Sequence, residues 1–409
     1  MNRRLLERLP IFACAGLIAF LSLSFLWNAA VEATWPKLRI RSSQPLAGVT
    51  APAPAPVTLD AILSGETQKA LSANLGRSLP VFSLAVRAKN QFLYSLFGAS
   101  GVASVVIGRN GQLYEPGYID EFCGRGAPPD AAALDAWAVR LREAQDRVEA
   151  LGKSFIYLVT PSKAAQLPHY LPKGRRFPAL DRGRGEKLAP FRAALEAHRV
   201  AYVDGAGLMS EKRGEYSVDF FPRGGTHWNL LGAALALRDI TDVLEKASKG
   251  SPFGRFDFNW AIAPQAEGTD RDLLDLLNLL WPDAHYPTAT IVGANAASNC
   301  ARAPNLLAVG GSFLFEILLD LGQAPCPPAS EYWHYFRLEG RLFRRVGLNV
   351  IADRGGVKKL EEIADDPAAL ERGVERADVV ILEENESNVS LMKQVDDLLA
   401  AARAHASSR

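Results

Sequence analysis

Cysteine, histidine and methionine are all scarce in this sequence, at four, six and three among 409 residues. The cysteines, Cys14, Cys123, Cys300 and Cys326, form no C-x-x-C pair, and no histidine pair stands at metal-ligand spacing. That excludes the common zinc modules, and no metal is expected. Charge of one sign is lacking too. Forty-six basic residues against 45 acidic ones leave a net charge of +1, with the basic residues scattered along the chain. Nothing there builds the electropositive stripe of a nucleic-acid binder. No Walker loop and no G-x-G-x-x-G glycine signature occurs, so no nucleotide cofactor is expected. Cys14 sits in an apolar run. Cys300 and Cys326 flank an apolar strand pattern at 306–309, where a disulfide and two buried thiols fit equally well.

What is present begins at the N-terminus. Arg3, Arg4 and Arg8 precede an uncharged run over residues 11–31. As a helix, its 21 residues would reach across roughly 30 Å, the thickness of a bilayer core. The arginines belong on the cytoplasmic side, which places the rest of the chain on the outer face. The expected organisation is a cytoplasmic tail (1–10), a transmembrane anchor (11–31), an Ala/Pro-rich linker (32–57) and one globular domain (58–409). A cleaved signal peptide is the alternative, although Val31-Glu32-Ala33 makes a poor cleavage site. The alternating Ala-Pro stretch before residue 57 is stiff, extended and unable to build a core.

Beyond the linker, strand and helix patterns alternate. Residues 104–108 form a short β-branched run closed by Asn110-Gly111, a turn signal. Residues 130–151 carry Trp137, Leu141, Ala144, Val148 and Leu151 at helical spacing. Residues 154–159 are continuously apolar, as in a buried parallel strand. Helices are expected over 187–198, 229–247, 312–321, 360–376 and 389–404, with strands over 200–203, 306–309, 348–351 and 378–382. This is an α/β pattern, a doubly wound parallel sheet with helices on both faces. The Trp-, Asp- and Leu-rich segment 251–287 interrupts it as an insertion or cap.

Two short motifs carry chemistry. Gly225-Thr226-His227-Trp228-Asn229 opens the helix at 229, and about 85 residues later Gly310-Gly311-Ser312-Phe313 follows the strand at 306–309. A serine hydroxyl needs a neighbouring base to become a nucleophile, and histidine has the right pKa. Two glycines permit a tight turn, and Gly311 and the amides behind Ser312 could face an oxyanion. Each motif also has a bland reading: Ser312 as a helix cap, His227 as a satisfied structural histidine, Trp228 as core packing instead of a sugar-stacking wall. Lys163, after the 154–159 strand at a Thr-Pro turn, is a candidate groove residue or an ordinary surface lysine. Asp120 is a weaker candidate, and 383–386 (Glu-Glu-Asn-Glu) reads as a solvated charged loop.

Five passages together resemble one family. They are 79–90; Ser104 to Tyr114, with its glycine turn and aromatic; Tyr157 to Lys163, a strand ending in a Pro-x-Lys loop; Gly225 to Asn229 with Gly232; and Gly310 to Phe313. Their order resembles the AlgX/AlgJ-type alginate O-acetyltransferases, which implies an SGNH-hydrolase-like fold. It also implies an acetyl-Ser312 intermediate with His227 as base, a polysaccharide acceptor, and a membrane-bound O-acyltransferase as acetyl supplier at the inner membrane. Transfer in the periplasm is the expected reaction. A polysaccharide acetylesterase and a non-catalytic glycan-binding scaffold are the alternatives. One position departs from the family: where an Asp usually stands two residues before the histidine, this chain has Gly225. Asp219 is the expected substitute and Asp204 the next nearest; a Ser–His dyad and an impaired site are the other options.

Overall fold

The computed structural model describes residues 3–31, 34–38, 45–49, 54–78, 82–124, 129–172, 187–247, 254–296, 303–324, 327–338, 341–348, 361–362, 367–391 and 393–407. The chain divides into two compact units, residues 1–105 with 274–283, and residues 106–273 with 284–409. Residues 58–105 therefore group with the N-terminal unit, not with the α/β domain expected to begin at 58. Cys300, Cys326 and most of the 348–351 strand lie outside the described residues.

The first unit is helical, with helices Arg3–Val31, Leu59–Leu63, Glu66–Ser78 and Phe82–Phe97. Thr58 caps the second of these, its side chain accepting from the Ala61 amide at 3.2 Å. Asn90 donates to the Leu277 carbonyl at 2.8 Å, and Asn278 brackets Ala47 through bonds of 2.8 and 3.1 Å. The Arg3–Val31 helix covers the apolar run. Among the described residues, no helix is long and apolar enough to cross a membrane.

The second unit is built on a seven-stranded sheet. Its strands are Ser154–Thr160 (β1), Tyr202–Asp204 (β2), Asn305–Gly310 (β3), Ala329–Leu338 (β4), Arg341–Leu348 (β5), Glu361–Glu362 (β6) and Val379–Asn385 (β7), in the order β6-β5-β4-β3-β7-β1-β2. The five strands from β4 to β2 run parallel; β5 and β6 extend the sheet antiparallel. Alternate side chains point to opposite faces. Ile156, Leu158, Leu306, Ala308 and Ile381 pack on one face against helices Leu230–Lys246 (α2) and Leu314–Leu321 (α3). Phe155, Tyr157, Leu307, Val309, Val380 and Leu382 pack on the other, against Ala131–Ala150 (α1), Pro367–Arg376 (α4) and Gln394–Ser407 (α5). Burial on both faces is why β1, β3 and β7 read as continuous apolar runs. The expected helix over 360–376 begins only at Pro367, because Glu361 and Glu362 pair with β5.

Two hairpins stand apart from the seven-stranded sheet as two-stranded sheets of their own. Val106–Ile107 pairs with Leu113–Tyr114 across the Asn110-Gly111 turn, where both residues take positive φ (56° and 71°). Phe256–Ala263 pairs with Thr288–Ala296, and the segment between them carries a short 3₁₀ turn, Gly268–Arg271, running into the helical turn Asp272–Leu276. The C-terminal ends of β1, β3 and β7 meet at one edge, where sites form in such sheets. There the Glu386 amide donates to the Thr160 carbonyl at 2.8 Å.

Candidate active site

Ser312 lies two residues past β3, just before α3. The turn that carries it passes so close to β7 that a Cβ on Gly310 would come within 2.6 Å of Glu383 Oε2 and 2.9 Å of its backbone oxygen. Only glycine fits. The Gly311 amide donates to Glu383 Oε2 at 2.5 Å, and its carbonyl accepts from the Tyr332 hydroxyl at 2.6 Å. The serine turn is thus pinned from both sides.

His227 comes from the loop entering α2. Asn229 caps that helix, its side chain accepting from the Gly232 amide at 3.1 Å while its Nδ2 donates to the Asp219 carbonyl at 2.9 Å. Upstream, Lys163 Nζ donates to the carbonyls of Pro222, Arg223 and Gly225 at 2.7, 3.1 and 2.8 Å. Phe313 packs edge-on to the imidazole at 4.9 Å between centroids. These constraints set His227 Nε2 2.7 Å from Ser312 Oγ. Behind it, Nδ1 lies 2.7 Å from Asp272 Oδ2. Asp272 Oδ1 accepts from the Thr226 and Leu273 amides at 2.9 and 2.6 Å. A carboxylate only accepts, so in the neutral form of the ring the proton sits on Nδ1 and Nε2 is left to receive the serine proton.

The carboxylate behind the imidazole is therefore Asp272, from the 251–287 insertion, and not Asp219. Asp219 is exposed, on a loop that touches α2 through its backbone. Asp204 is used elsewhere: it caps the next helix through the Gly207 amide at 2.8 Å and pairs with Arg192. Asp120 is exposed. Gly225 explains the exchange. A Cβ there would lie 2.5 Å from the Thr269 carbonyl and 2.9 Å from Pro222 Cγ, so the insertion fills the space an aspartate at 225 would need.

Three other expectations change. Lys163 is 1% exposed and holds the histidine loop instead of lining a groove. Trp228 is fully buried, its indole donating to the Phe313 carbonyl at 3.1 Å, so it packs between the two motifs and offers no wall to a substrate. Residues 383–386 are not a solvated loop, because all four are buried at the end of β7. Gly311 does border the cavity, together with Ser312.

That cavity, about 330 Å³, is lined by Ser312, Glu115, Tyr118, Glu383, His334 and Phe336 among others. Carboxyls crowd it. Burial lifts Glu383 to about 7, against the bonds from Thr160 and Gly311 that favour its ionised form. Burial likewise lifts Glu316, one turn into α3, to about 7, with His227 pulling the other way. Glu115 is raised by burial and by Asp272. Burial alone would push the His227 imidazolium to lower pKa. Glu316, the bonded Asp272 and Glu115 together outweigh it and lift His227 to about 9. None of these extra carboxyls has a legible signal in the sequence: Glu115 follows a strand, Glu316 sits in a helix, and Glu383 lies in a run that reads as solvated.

A serine, a histidine and an aspartate in relay contact, opening on a cavity, form an arrangement suited to acyl transfer. The family model for the SGNH hydrolase-like domain of acetyltransferase AlgX matches residues 105–308. The chain carries an SGNH hydrolase-like domain of the AlgX/AlgJ type. Solved structures similar to it include the O-acetyltransferase domain of Pseudomonas putida AlgJ, at 20% identity over 72% of this chain and 98% of that one, with a TM-score of 0.41. Pseudomonas aeruginosa AlgX follows at 13% identity, covering 72% and 66%, with a TM-score of 0.40. Bacillus cereus PatB1 shares 12% identity over 70% and 97%, with a TM-score of 0.39. No curated protein matches the sequence.

Proposed function

We propose that the protein is an extracytoplasmic O-acetyltransferase that moves acetyl groups onto hydroxyls of an exported polysaccharide through an acetyl-serine. The observation that carries this reading is the 2.7 Å approach of His227 Nε2 to Ser312 Oγ with Asp272 on the far side of the ring. His227 takes the hydroxyl proton as Oγ attacks the acetyl carbonyl of a donor, and returns it to the departing group. A sugar hydroxyl then gives its proton to His227 and attacks the acetyl carbon, and His227 passes that proton to the departing Ser312 Oγ. With the Gly311 amide held by Glu383, the amides of Ser312 and Phe313 at the start of α3 are the donors for the oxyanion.

The Arg3–Val31 helix, with arginines ahead of an apolar run, suits a tether to the inner membrane with the domain in the periplasm. Acetyl-CoA is cytoplasmic, so a membrane-bound O-acyltransferase as acetyl supplier fits this placement. The scaffold reading rests on Gly225, and Asp272 removes that support.

The test is to incubate the purified chain with 4-nitrophenyl acetate, with and without oligosaccharide, and follow both the Ser312 peptide and the sugar by mass spectrometry. Acetyl on Ser312 that passes to sugar supports transfer. Acetate release indifferent to sugar would make it an esterase.

A further inference from the structure

A helix on a water-facing surface turns its apolar side inward and its polar side out. Part of the Phe82–Phe97 helix does the reverse. Polar groups on its inner side are spent on backbone: Asn90 is buried and donates to the Leu277 carbonyl, and Arg87 donates to the carbonyls of Leu279 and Pro45 at 3.3 and 3.0 Å. The outward stripe runs through Ala85, Ala88, Phe92 and Leu96, at three- and four-residue spacing. Phe92, Leu96 and the adjoining Phe97 are 55, 65 and 66% exposed. Phe92 and Phe97 meet edge-on at 5.7 Å between centroids, a contact that leaves both rings largely open. The Trp281 amide donates to Gln91 Oε1 at 3.0 Å, so Trp281 stands beside this helix, and it is 76% exposed. Single apolar side chains on a surface need no explanation; a cluster of large ones on one helix does.

The charge around the stripe says what covers it. Basic residues are spread along the chain, but acidic ones are not. Residues 1–105 hold ten basic and four acidic residues, and the remainder holds 36 and 41. No Asp or Glu occurs between Glu66 and Glu115, a stretch that includes Lys69, Arg77, Arg87 and Lys89. Asp275 and Asp283 belong to the same unit and still leave it at a net charge of +4. Two copies of a cationic unit repel each other, which disfavours a second chain as the cover. An anionic lipid surface attracts the unit instead. The boundary between headgroups and acyl chains takes Phe, Leu and Trp side chains, and Lys89, exposed beside Phe92, can reach the phosphates. The helix has 16 residues, about 24 Å, and its inner side is engaged by protein, so it suits lying in the interface and not crossing it. The same unit carries the apolar Arg3–Val31 helix.

We infer that the Phe82–Phe97 helix and Trp281 form a membrane contact of their own, lying flat in the interface of an anionic bilayer. The inference adds to the tether reading and is tested apart from it. A photo-cross-linking residue is placed on the stripe in one full-length chain (Phe92→p-benzoylphenylalanine) and in the Arg3–Val31 helix in another (Phe12→p-benzoylphenylalanine). Both are reconstituted in vesicles of phosphatidylcholine and phosphatidylglycerol and illuminated, and the adducts are identified by mass spectrometry. The probe at 92 is expected to label lipid. Adding Phe97→Glu lowers that labelling about tenfold, whereas Phe97→Leu changes it by less than about twofold. Lys89→Glu, or vesicles of phosphatidylcholine alone, lowers it about fivefold. Circular dichroism stays unchanged in all three variants, since both side chains are exposed. An adduct at 92 with a second copy of the chain, or none in vesicles where the probe at 12 labels lipid, overturns the interfacial contact and leaves the tether standing. Lipid labelling at 92 that is indifferent to both Phe97→Glu and Lys89→Glu is mere proximity and overturns it as well. Labelling at 92 that follows those variants, with none at 12, keeps the contact and sinks the tether; with lipid labelled at neither position, both fall.

Discussion

At the scale of single residues, the proposed transfer turns on the proton between Ser312 and His227. Ser312→Ala leaves no nucleophile and is expected to lower acetyl transfer at least a thousandfold. Circular dichroism should be unchanged, since the serine is half-exposed and its turn is held by Gly310 and Gly311. The charge on the imidazole sets the pH dependence. With its folded pKa lifted to about 9, His227 rests protonated at neutral pH and must lose that proton to act as base. Activity should therefore rise with pH up to about 9, a limb well above the ordinary histidine range. Among the charges lifting it, Glu316 comes first. Glu316→Gln removes that charge without emptying the site, and the acidic limb of kcat/KM should move to lower pH. A limb that stays in place would show that Glu316 is not what holds the imidazolium.

At the scale of elements, the finding is that the relay is assembled from three separate loops. Asp272 enters from the insertion between the hairpin strands Phe256–Ala263 and Thr288–Ala296, and Gly225 makes room for it. The two positions form one device, which gives a sharp double-variant test. Asp272→Ala should cost about three orders of magnitude in kcat through loss of the ring's orientation and charge balance. Adding Gly225→Asp should fail to restore it, because the Thr269 carbonyl occupies the space of the new Cβ. Recovery of activity in the double variant would show that the loops can trade places. Lys163→Met is a second element-level test: it strips three carbonyls of a charged donor in a buried site. It should destabilise the chain by about 3 kcal/mol in chemical denaturation and lower kcat more than it changes KM.

These elements also show what the sequence can and cannot disclose. The apolar runs of β1, β3 and β7 and the periodicity of α1 and α2 are readable because burial on one or both faces writes itself into local pattern. Ser312 and His227 are readable because glycines and a helix start frame them. Asp272 is not. It lies 45 residues from its histidine in an aperiodic segment, and the steric link between Gly225 and Thr269 exists only in three dimensions. Lys163 stands out in the sequence but its partner does not, since nothing in a Thr-Pro-Ser-Lys stretch says whether the ammonium meets a ligand or its own backbone. The buried run at 383–386 misleads because charge density normally means solvent, and here the acids are sunk at the end of a central strand.

At the scale of the whole molecule, those sunken acids make stability depend on pH in an uncommon direction. Asp270, Glu316, Glu383 and Glu384 are each raised to about 7 chiefly by burial, and Asp320 is raised further by burial with Glu316 nearby. An unfolded chain releases the protons of Asp270, Glu316, Glu383 and Glu384 near pH 4, whereas the folded one keeps them until about 7. Between those limits the folded state binds more protons, so stability is greatest on the acid side and declines as pH rises. His227 acts in the same sense at higher pH: its raised value adds stability that is fully present below about 6.5 and lost as pH climbs through about 9. Lys163, lowered to about 7 by burial, opposes this, but only where the unfolded chain still holds its proton and the folded one does not, from about 7 upward. The window free of that opposition is about pH 5 to 7. Across it the Tm should fall by roughly 5 °C, where most proteins with paired surface carboxylates gain or hold steady. Calorimetry at fixed ionic strength measures this directly. The Glu316→Gln and Glu383→Gln chains should each flatten the slope, since a buried amide carries no proton to lose. A Tm that rises across the same window would mean that the buried carboxyls are ionised in the folded state, and that the His227 imidazolium sits in a far more negative pocket than the one described.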